Sequence, residues 1–174
     1  IALCLLRRGF SGVEPALRAS FFHVVSLITT TGFVTENYDL WPEFARFLFL
    51  ILMVVGACAG STGGGCKVVR FLVLRRQVQA ETLRLLHPRA TVTARMNGRA
   101  IGRDVMDSAS AFLVLYLLIM TSATLAIAAF DHPKLDMVSA FSGVVACLSN
   151  VGPGLGALGP VENFAWLPAG VKWI

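Results

Sequence analysis

The feature that most constrains this chain is the stretch Ser26 to Phe33, which follows an apolar run too short to cross a bilayer. That run, Glu14 to Ile28, makes about 15 residues or roughly 22 Å of helix, against a hydrocarbon core of about 30 Å. A second short apolar run, Leu135 to Leu148, precedes Ser149 to Gly154 in the same way. Non-helical backbone at membrane depth is tolerated only when it is buried in protein or lines a water-filled path. The sequence therefore predicts two re-entrant loops, and a pore is the leading hypothesis.

The composition indicates a membrane protein. Of 174 residues, 56% are apolar and 14% are charged, whereas soluble domains carry about a quarter charged residues. Nine of the fifteen Lys and Arg residues lie between Lys67 and Arg103, flanked by apolar blocks. This clustering is typical of a cytoplasmic loop under the positive-inside rule, not of a nucleic-acid-binding face. We therefore expect contact with membrane lipid and no nucleic-acid partner.

Longer apolar runs accompany the two short ones. Phe47 to Val55 predicts a transmembrane helix, and Ser108 to Phe130 gives 23 uncharged residues, enough to span. Pro168 onward predicts the start of another spanning helix. The result is an all-α membrane protein of repeated helix, re-entrant pore half-helix and helix units around a pore. The predicted divisions are a pore repeat at 1–86, a cytoplasmic linker at 87–103 and a second pore repeat at 104–174.

The linker regions carry weaker signals. Lys67 to Leu86 predicts a basic amphipathic helix that reaches the cytoplasm, and Arg7-Arg8-Gly9 and Asp131-His132-Pro133 predict helix ends. Ala90 to Met96 alternates weakly and predicts a short strand, with Asn97-Gly98 as a turn. The chain does not begin with Met, so we expect an excerpt of a longer protein.

Both loops have the chemistry of a cation filter. Backbone carbonyls can replace the hydration shell of a monovalent ion, glycine permits the necessary backbone angles, and a helix C-terminus supplies a favourable dipole. A Ser/Thr loop or a Pro-Gly turn that simply ends a helix is the alternative. The predicted filter residues are Thr29, Thr30, Thr31 and Gly32 in the first loop and Asn150, Val151 and Gly152 in the second, with the ion placed at all of these except Thr29.

A glycine-rich segment follows the first spanning run. Five glycines in ten residues do not hold a regular helix, because each costs about 1 kcal/mol relative to Ala. A break that gates or lines a pore is favoured over two alternatives, close helix packing through a G-x-x-x-G spacing and a degenerate phosphate loop. The predicted gating-loop residues are Gly56, Gly60, Ser61, Thr62, Gly63, Gly64 and Gly65.

Other candidate sites are weaker. Gly154 to Gly159 matches a dinucleotide fingerprint, but Pro160 follows at once and the pattern is rejected. The cysteines, Cys4, Cys58, Cys66 and Cys147, show no metal or disulfide spacing. Arg18 and His23 are ionisable groups at membrane depth and hence functional candidates, although Arg18 can also snorkel to the interface. No catalytic constellation is visible, so an enzyme is not expected.

Three spaced motifs resemble the Trk/Ktr/HKT superfamily of potassium transporters, and most closely its Trk membrane subunit. They are Thr29 to Phe33, Gly60 to Arg70, and Ser149 to Gly154. The resemblance implies four repeats around one pore, of which this chain holds the third and fourth, with Gly32 and Gly152 in the filter and Gly56 to Gly65 as an intramembrane gating loop. It further implies a homodimer in the bacterial inner membrane, a cytosolic nucleotide-binding regulatory ring, and K⁺ as the transported ion without an organic cofactor.

Two other classes of function remain as alternatives. A secondary ion-coupled transporter would use broken helices to build a substrate site at the midplane, and intramembrane carboxylates would favour it. The two loops contain none. A purely structural scaffold would leave two costly re-entrant loops unexplained.

Overall fold

The computed structural model describes residues 1–7, 12–87, 93–96, 98–130 and 132–173, and this part of the chain is predominantly helical. Two-residue strands and short 3₁₀ turns complete it. The helices are α1 (Ala2–Arg7), α2 (Val13–Ile28), α3 (Glu43–Val55), α4 (Val68–Leu86), α5 (Arg103–Ala128) and α6 (Met137–Leu148). The strands are β1 (Arg95–Met96) and β2 (Arg99–Ala100), and the 3₁₀ turns are Tyr38–Leu40, Gly156–Leu158 and Val171–Trp173.

Helices α2 and α6 are the two short apolar helices that the sequence predicts. They have 16 and 12 residues, so at 1.5 Å per residue both are shorter than a bilayer core of about 30 Å. Pro15 lies in the first turn of α2, where a missing N–H costs nothing. Asp136 caps α6, because its Oδ1 accepts a hydrogen bond from the Ser139 N–H at 3.0 Å.

The predicted helix break lies between α3 and α4. Helix α3 has 13 residues and is about 20 Å long, so α3 alone does not cross the core. Gly56 and Gly60 have φ values of 67° and 87° and lie outside any helix. The G-x-x-x-G packing interpretation is therefore wrong, since that motif requires both glycines on one helical face.

Helix α5 is the one described helix that is long and apolar enough to cross a membrane, with 26 residues and a mean hydropathy of 2.3 in its most apolar window. It packs against α4 and α6. Near the start of α5, β1 pairs with β2 in an antiparallel hairpin whose turn includes Gly98, at φ 78°. Only 95–96 of the predicted strand is observed as strand. Residues 8–9, 90–92, Asn97 and Asp131, which also carried predictions, lie outside the described residues.

The core joins the two halves of the chain. Helix α2 packs against α1 and α3, and α6 packs against α5 and also against α3. Between α2 and α3 lies an aromatic cluster of His23, Tyr38, Trp41 and Phe49, with ring centroids 5.0 to 6.3 Å apart. From Pro168, the structure describes a 3₁₀ turn and not yet a helix.

Candidate functional site

The loops that follow α2 and α6 have the same backbone conformation. Thr30 and Asn150 take left-handed φ values of 58° and 53°, and Gly32 and Gly152, two residues further on, have φ values of 71° and 109°. Asn tolerates the left-handed region, but a β-branched Thr there is an outlier that only a constraining environment maintains. The sequence pattern predicted the two glycines and did not predict the strain at Thr30.

The hydrogen bonds at the two helix ends correspond one to one. The N–H groups of Thr31 and Gly32 both donate to the Ser26 carbonyl, at 3.0 and 3.4 Å. The N–H groups of Val151 and Gly152 both donate to the Ala146 carbonyl, at 2.8 and 3.4 Å. Each pair has the same spacing along the chain, so Ser26 corresponds to Ala146 and Gly32 to Gly152. The C-terminal ends of α2 and α6 and the loops that follow them therefore share one hydrogen-bond pattern.

The two loops lie in direct contact. A Cβ atom built on Gly32 would be 2.0 Å from the Val151 carbonyl oxygen and 3.2 Å from Pro153 Cδ. Real Cβ atoms do not approach other atoms within 3.0 Å, so only glycine fits at position 32 in this arrangement. By contrast, nothing in the described residues lies within 4 Å of a Cβ built on Gly152. The predicted filter residues of both halves are thus brought together at one place.

The glycine-rich loop lies against the ends of both short helices. A Cβ on Gly64 would be 2.1 Å from the Ser149 carbonyl oxygen, and one on Gly63 would be 2.7 Å from Thr30 Oγ1 and 3.6 Å from the Thr29 carbonyl oxygen. The loop therefore contacts Thr29 and Thr30 of the first predicted filter stretch and Ser149, the residue that directly precedes the second stretch. Gly60 differs, because no described residue lies within 4 Å of its Cβ position.

Hydrogen bonds close the glycine-rich loop on itself. The Cys66 N–H donates to the Val54 carbonyl at 2.9 Å, and Lys67 Nζ donates to the Ser61 carbonyl at 2.6 Å. Lys67 itself has a φ of 65°. Arg70, one turn into α4, donates to the Cys66 carbonyl at 3.1 Å and lies 3.9 Å above the Phe112 ring of α5. These contacts fix the position at which α4 begins.

Side-chain hydroxyl groups donate hydrogen bonds to backbone carbonyls of the two loops. The sequence pattern did not indicate these bonds. Ser26 Oγ donates to the Phe33 carbonyl at 2.7 Å. The Tyr38 hydroxyl donates to the carbonyls of Pro153 and Gly154, at 3.3 and 3.1 Å. Burial first, and then the charge of Asp39, raises the pKa of the Tyr38 hydroxyl, so this group remains a proton donor.

A second tyrosine holds the other end of the second loop. The hydroxyls of Tyr116 in α5 and Ser149 are 2.9 Å apart and both are buried. The chain has two tyrosines in all, and both contact this loop. A tyrosine in a polar loop or an apolar helix carries no spacing signal, so only the fold reveals these contacts.

The two ionisable candidates in α2 occupy opposite environments. Arg18 is 79% exposed in this chain and pairs with Glu14, one turn earlier; an exposed ion pair of this kind contributes little to stability. His23 is fully buried in the aromatic cluster. Its Nδ1 lies 2.8 Å from the Ala19 carbonyl, while Nε2 has no hydrogen-bond partner in the part of the chain that the structure describes. This environment favours a packing role for His23 over an ion-handling role.

Comparison with known proteins places this arrangement in a family. A family model described as TrkH, cation transport protein, matches residues 12–167. The chain belongs to the TrkH family of cation transport proteins. Among its relatives is the Trk system potassium uptake protein TrkH of Salmonella typhimurium, 39% identical over 178 residues, which cover 100% of this chain and 36% of the relative. The Escherichia coli K12 protein of the same name is 38% identical with the same coverage.

The fold comparison agrees with the family assignment. The crystal structure of the potassium transporter TrkH from Vibrio parahaemolyticus matches 99% of this chain with a TM-score of 0.87 and 38% identity, and the match covers 36% of that chain. The Trk system potassium uptake protein TrkI of Halomonas elongata is 36% identical over 154 residues, 88% of this chain and 31% of the relative. This chain therefore spans about a third of the length of the curated TrkH relatives. It belongs to a family of transport proteins and not of enzymes.

Proposed function

We propose that this chain forms the third and fourth pore repeats of a bacterial potassium uptake protein, which conducts K⁺ across the inner membrane. The observation that carries the proposal is the direct contact of two equivalent loops, each at the C-terminal end of a helix too short to span. Helix C-termini favour cations, and loop carbonyls can replace water around a dehydrated ion. The TrkH relatives are named as potassium uptake proteins.

In this proposal the filter takes one backbone segment from each repeat. Thr30, Thr31 and Gly32 line it on one side and Asn150 to Gly152 on another, and two further repeats complete the ring. Thr29 begins the first segment. The open surroundings of the Gly152 Cβ position suit a residue that faces the ion path. K⁺ is the transported ion, and the mechanism requires neither an organic cofactor nor a catalytic side chain.

The loop from Gly56 to Gly65 is the proposed gate. Its Gly63 lies against Thr29 and Thr30 of the first filter segment, and its Gly64 lies against Ser149, which directly precedes the second segment. The loop also interrupts the passage from α3 to α4. An ion leaving the filter toward the cytoplasm therefore meets this loop. Ser61 and Thr62, between the glycines, give it polar side chains. Because positions 63 and 64 are glycines, the loop can pack closely against Thr30 and Ser149. Displacement of the loop would break these contacts.

The remaining assignments follow from membership of the Trk system. We propose a multi-pass protein surrounded by membrane lipid, working as a homodimer and regulated by a cytosolic nucleotide-binding ring. The divisions at 1–86, 87–103 and 104–174 then correspond to the third repeat, the cytoplasmic linker and the fourth repeat. The alternative, an ion-coupled secondary transporter, would need a midplane substrate site with charged ligands, and the filter segments contain no carboxylate.

Rubidium uptake tests the proposal. The full-length protein is expressed in cells that lack other potassium uptake systems, with and without Gly152→Asp, and its amount in the membrane is measured in parallel. We expect uptake by the unmodified protein and its loss or altered ion preference in the variant, because a carboxylate would stand in the ion path. Absent uptake, or uptake indifferent to Gly152→Asp at equal membrane amounts, would favour the transporter or scaffold alternatives.

A further inference from the structure

The two proposed filter loops are held by different hydroxyl groups. In the first loop the anchor is local, because Ser26 Oγ donates to the Phe33 carbonyl at 2.7 Å. Ser26 corresponds to Ala146 in the second unit, as the shared hydrogen-bond pattern establishes. Alanine has no hydroxyl, so the second loop lacks the anchor that the first loop possesses.

Tyr38 supplies the missing donor from the other repeat. At the same spacing along the chain, Phe33 corresponds to Pro153. The Tyr38 hydroxyl lies 3.3 Å from the Pro153 carbonyl oxygen and 3.1 Å from the Gly154 carbonyl oxygen. The Phe33 carbonyl is therefore anchored by Ser26 of its own repeat, and the equivalent Pro153 carbonyl is anchored by Tyr38 of the neighbouring repeat.

The surroundings of Tyr38 make this contact rigid. The side chain is fully buried, and its ring lies 5.3 Å from Phe49 and 5.6 Å from His23, both in edge-on geometry. Aromatic contacts of this kind fix a ring in one orientation. The adjacent Asp39 forms an ion pair with Arg46 of α3 at 3.1 Å, which holds the turn that carries Tyr38.

We propose that Tyr38 is a positioning residue for the second filter loop, and that its hydrogen bonds across the repeat boundary help to set ion selectivity. This inference rests on the proposed function. The hydroxyl does not touch the ion. It orients the carbonyls of Pro153 and Gly154 toward protein and so fixes the path of the segment that contains Val151 and Gly152. A filter that discriminates among ions by the placement of its carbonyls depends on such a constraint.

The test is the selectivity of the full-length protein in planar bilayers, measured as the ratio of K⁺ to Na⁺ permeability from reversal potentials. We expect Tyr38→Phe, which keeps the ring and removes the donor, to lower this ratio by about threefold to tenfold, the range that loss of one net hydrogen bond corresponds to. The ratio does not depend on the amount of protein, so a loss of folded protein alone leaves it unchanged.

A second substitution provides a rescue. In the Tyr38→Phe background, Ala146→Ser places a hydroxyl where the first repeat has Ser26, within reach of the Pro153 carbonyl. We expect the ratio to return toward its original value. The matched control is Thr121→Val, because the hydroxyl of Thr121 is exposed on α5 and donates to the Leu117 carbonyl of its own helix at 2.8 Å.

Each outcome has one meaning. An unchanged ratio in Tyr38→Phe, or an equal fall in Thr121→Val, overturns the inference while the proposed function stands. Absence of cation current from the unmodified protein overturns the proposed function and the inference with it. If Tyr38→Phe does not accumulate in membranes, para-aminophenylalanine and para-methylphenylalanine at position 38 replace it. Both fill the cavity and only the first retains a donor, so only the second is expected to lower the ratio.

Discussion

Substitution of Gly32 by alanine tests the contact between the two proposed filter loops. The new Cβ would lie 2.0 Å from the Val151 carbonyl oxygen, so the loops must separate by about 1 Å to reach the shortest contact that proteins show. Overpacking of this kind costs about 1–3 kcal/mol. The left-handed backbone at position 32 adds about 1–2 kcal/mol for any residue with a Cβ. The total is about 2–5 kcal/mol.

Gly152→Ala is the matched control for this substitution. Its φ of 109° imposes a backbone strain of the same kind, but nothing in the described residues lies within 4 Å of the new Cβ. Only the strain of about 1–2 kcal/mol applies there. The difference between the two variants therefore isolates the contact between the loops.

The melting temperature of each purified full-length variant in detergent measures the effect, because it reports the packing of the loops and does not depend on which residue faces the ion path. We expect Gly32→Ala to lower the free energy of unfolding by about 1–3 kcal/mol more than Gly152→Ala does, since only Gly32→Ala adds the overpacking. Equal losses, or a greater loss at position 152, would refute the reasoning, because the contact at Gly32 would then have no packing consequence.

Three further substitutions test the gate and the buried histidine. Gly64→Ala should displace the glycine-rich loop, because its Cβ would lie 2.1 Å from the Ser149 carbonyl; single-channel recording should show a raised open probability. Gly102→Ala is the control, because Gly102 precedes α5 outside this loop, has an ordinary φ of -62°, and has no described residue within 4 Å of its Cβ position. Lys67→Met removes one of the bonds that close that loop, from Lys67 Nζ to the Ser61 carbonyl, and we expect shorter closed times; unchanged closed times would contradict a role for this bond. His23→Phe should change the melting temperature and the uptake rate little, because the phenyl ring fills the aromatic cluster, and removal of the buried Nε2, which has no partner among the described residues, offsets loss of the Nδ1 contact with the Ala19 carbonyl. A large loss of uptake at normal membrane amounts would restore a functional role for this side chain.

Much of the local architecture was predictable because it depends on interactions close in sequence. The lengths of the apolar runs predicted that α2 and α6 are short and that α5 is long. The density of glycines predicted the break after Val55. The same local reasoning left G-x-x-x-G packing as an alternative to the break, and the structure excludes it because the helix has already ended at Gly56. It also gave His23 a functional interpretation that its closed aromatic surroundings do not favour.

The sequence by itself determined the class of protein, the order of its helices and the two glycine-containing loops, because hydrophobic length and glycine content act within a few residues. Only the tertiary structure decided which groups hold those loops. The approach of Gly32 to Val151 and the bond from Tyr38 to Pro153 join residues more than a hundred positions apart. Such contacts depend on how α2, α3 and α6 pack, and a bond across that distance leaves no periodic pattern in the chain.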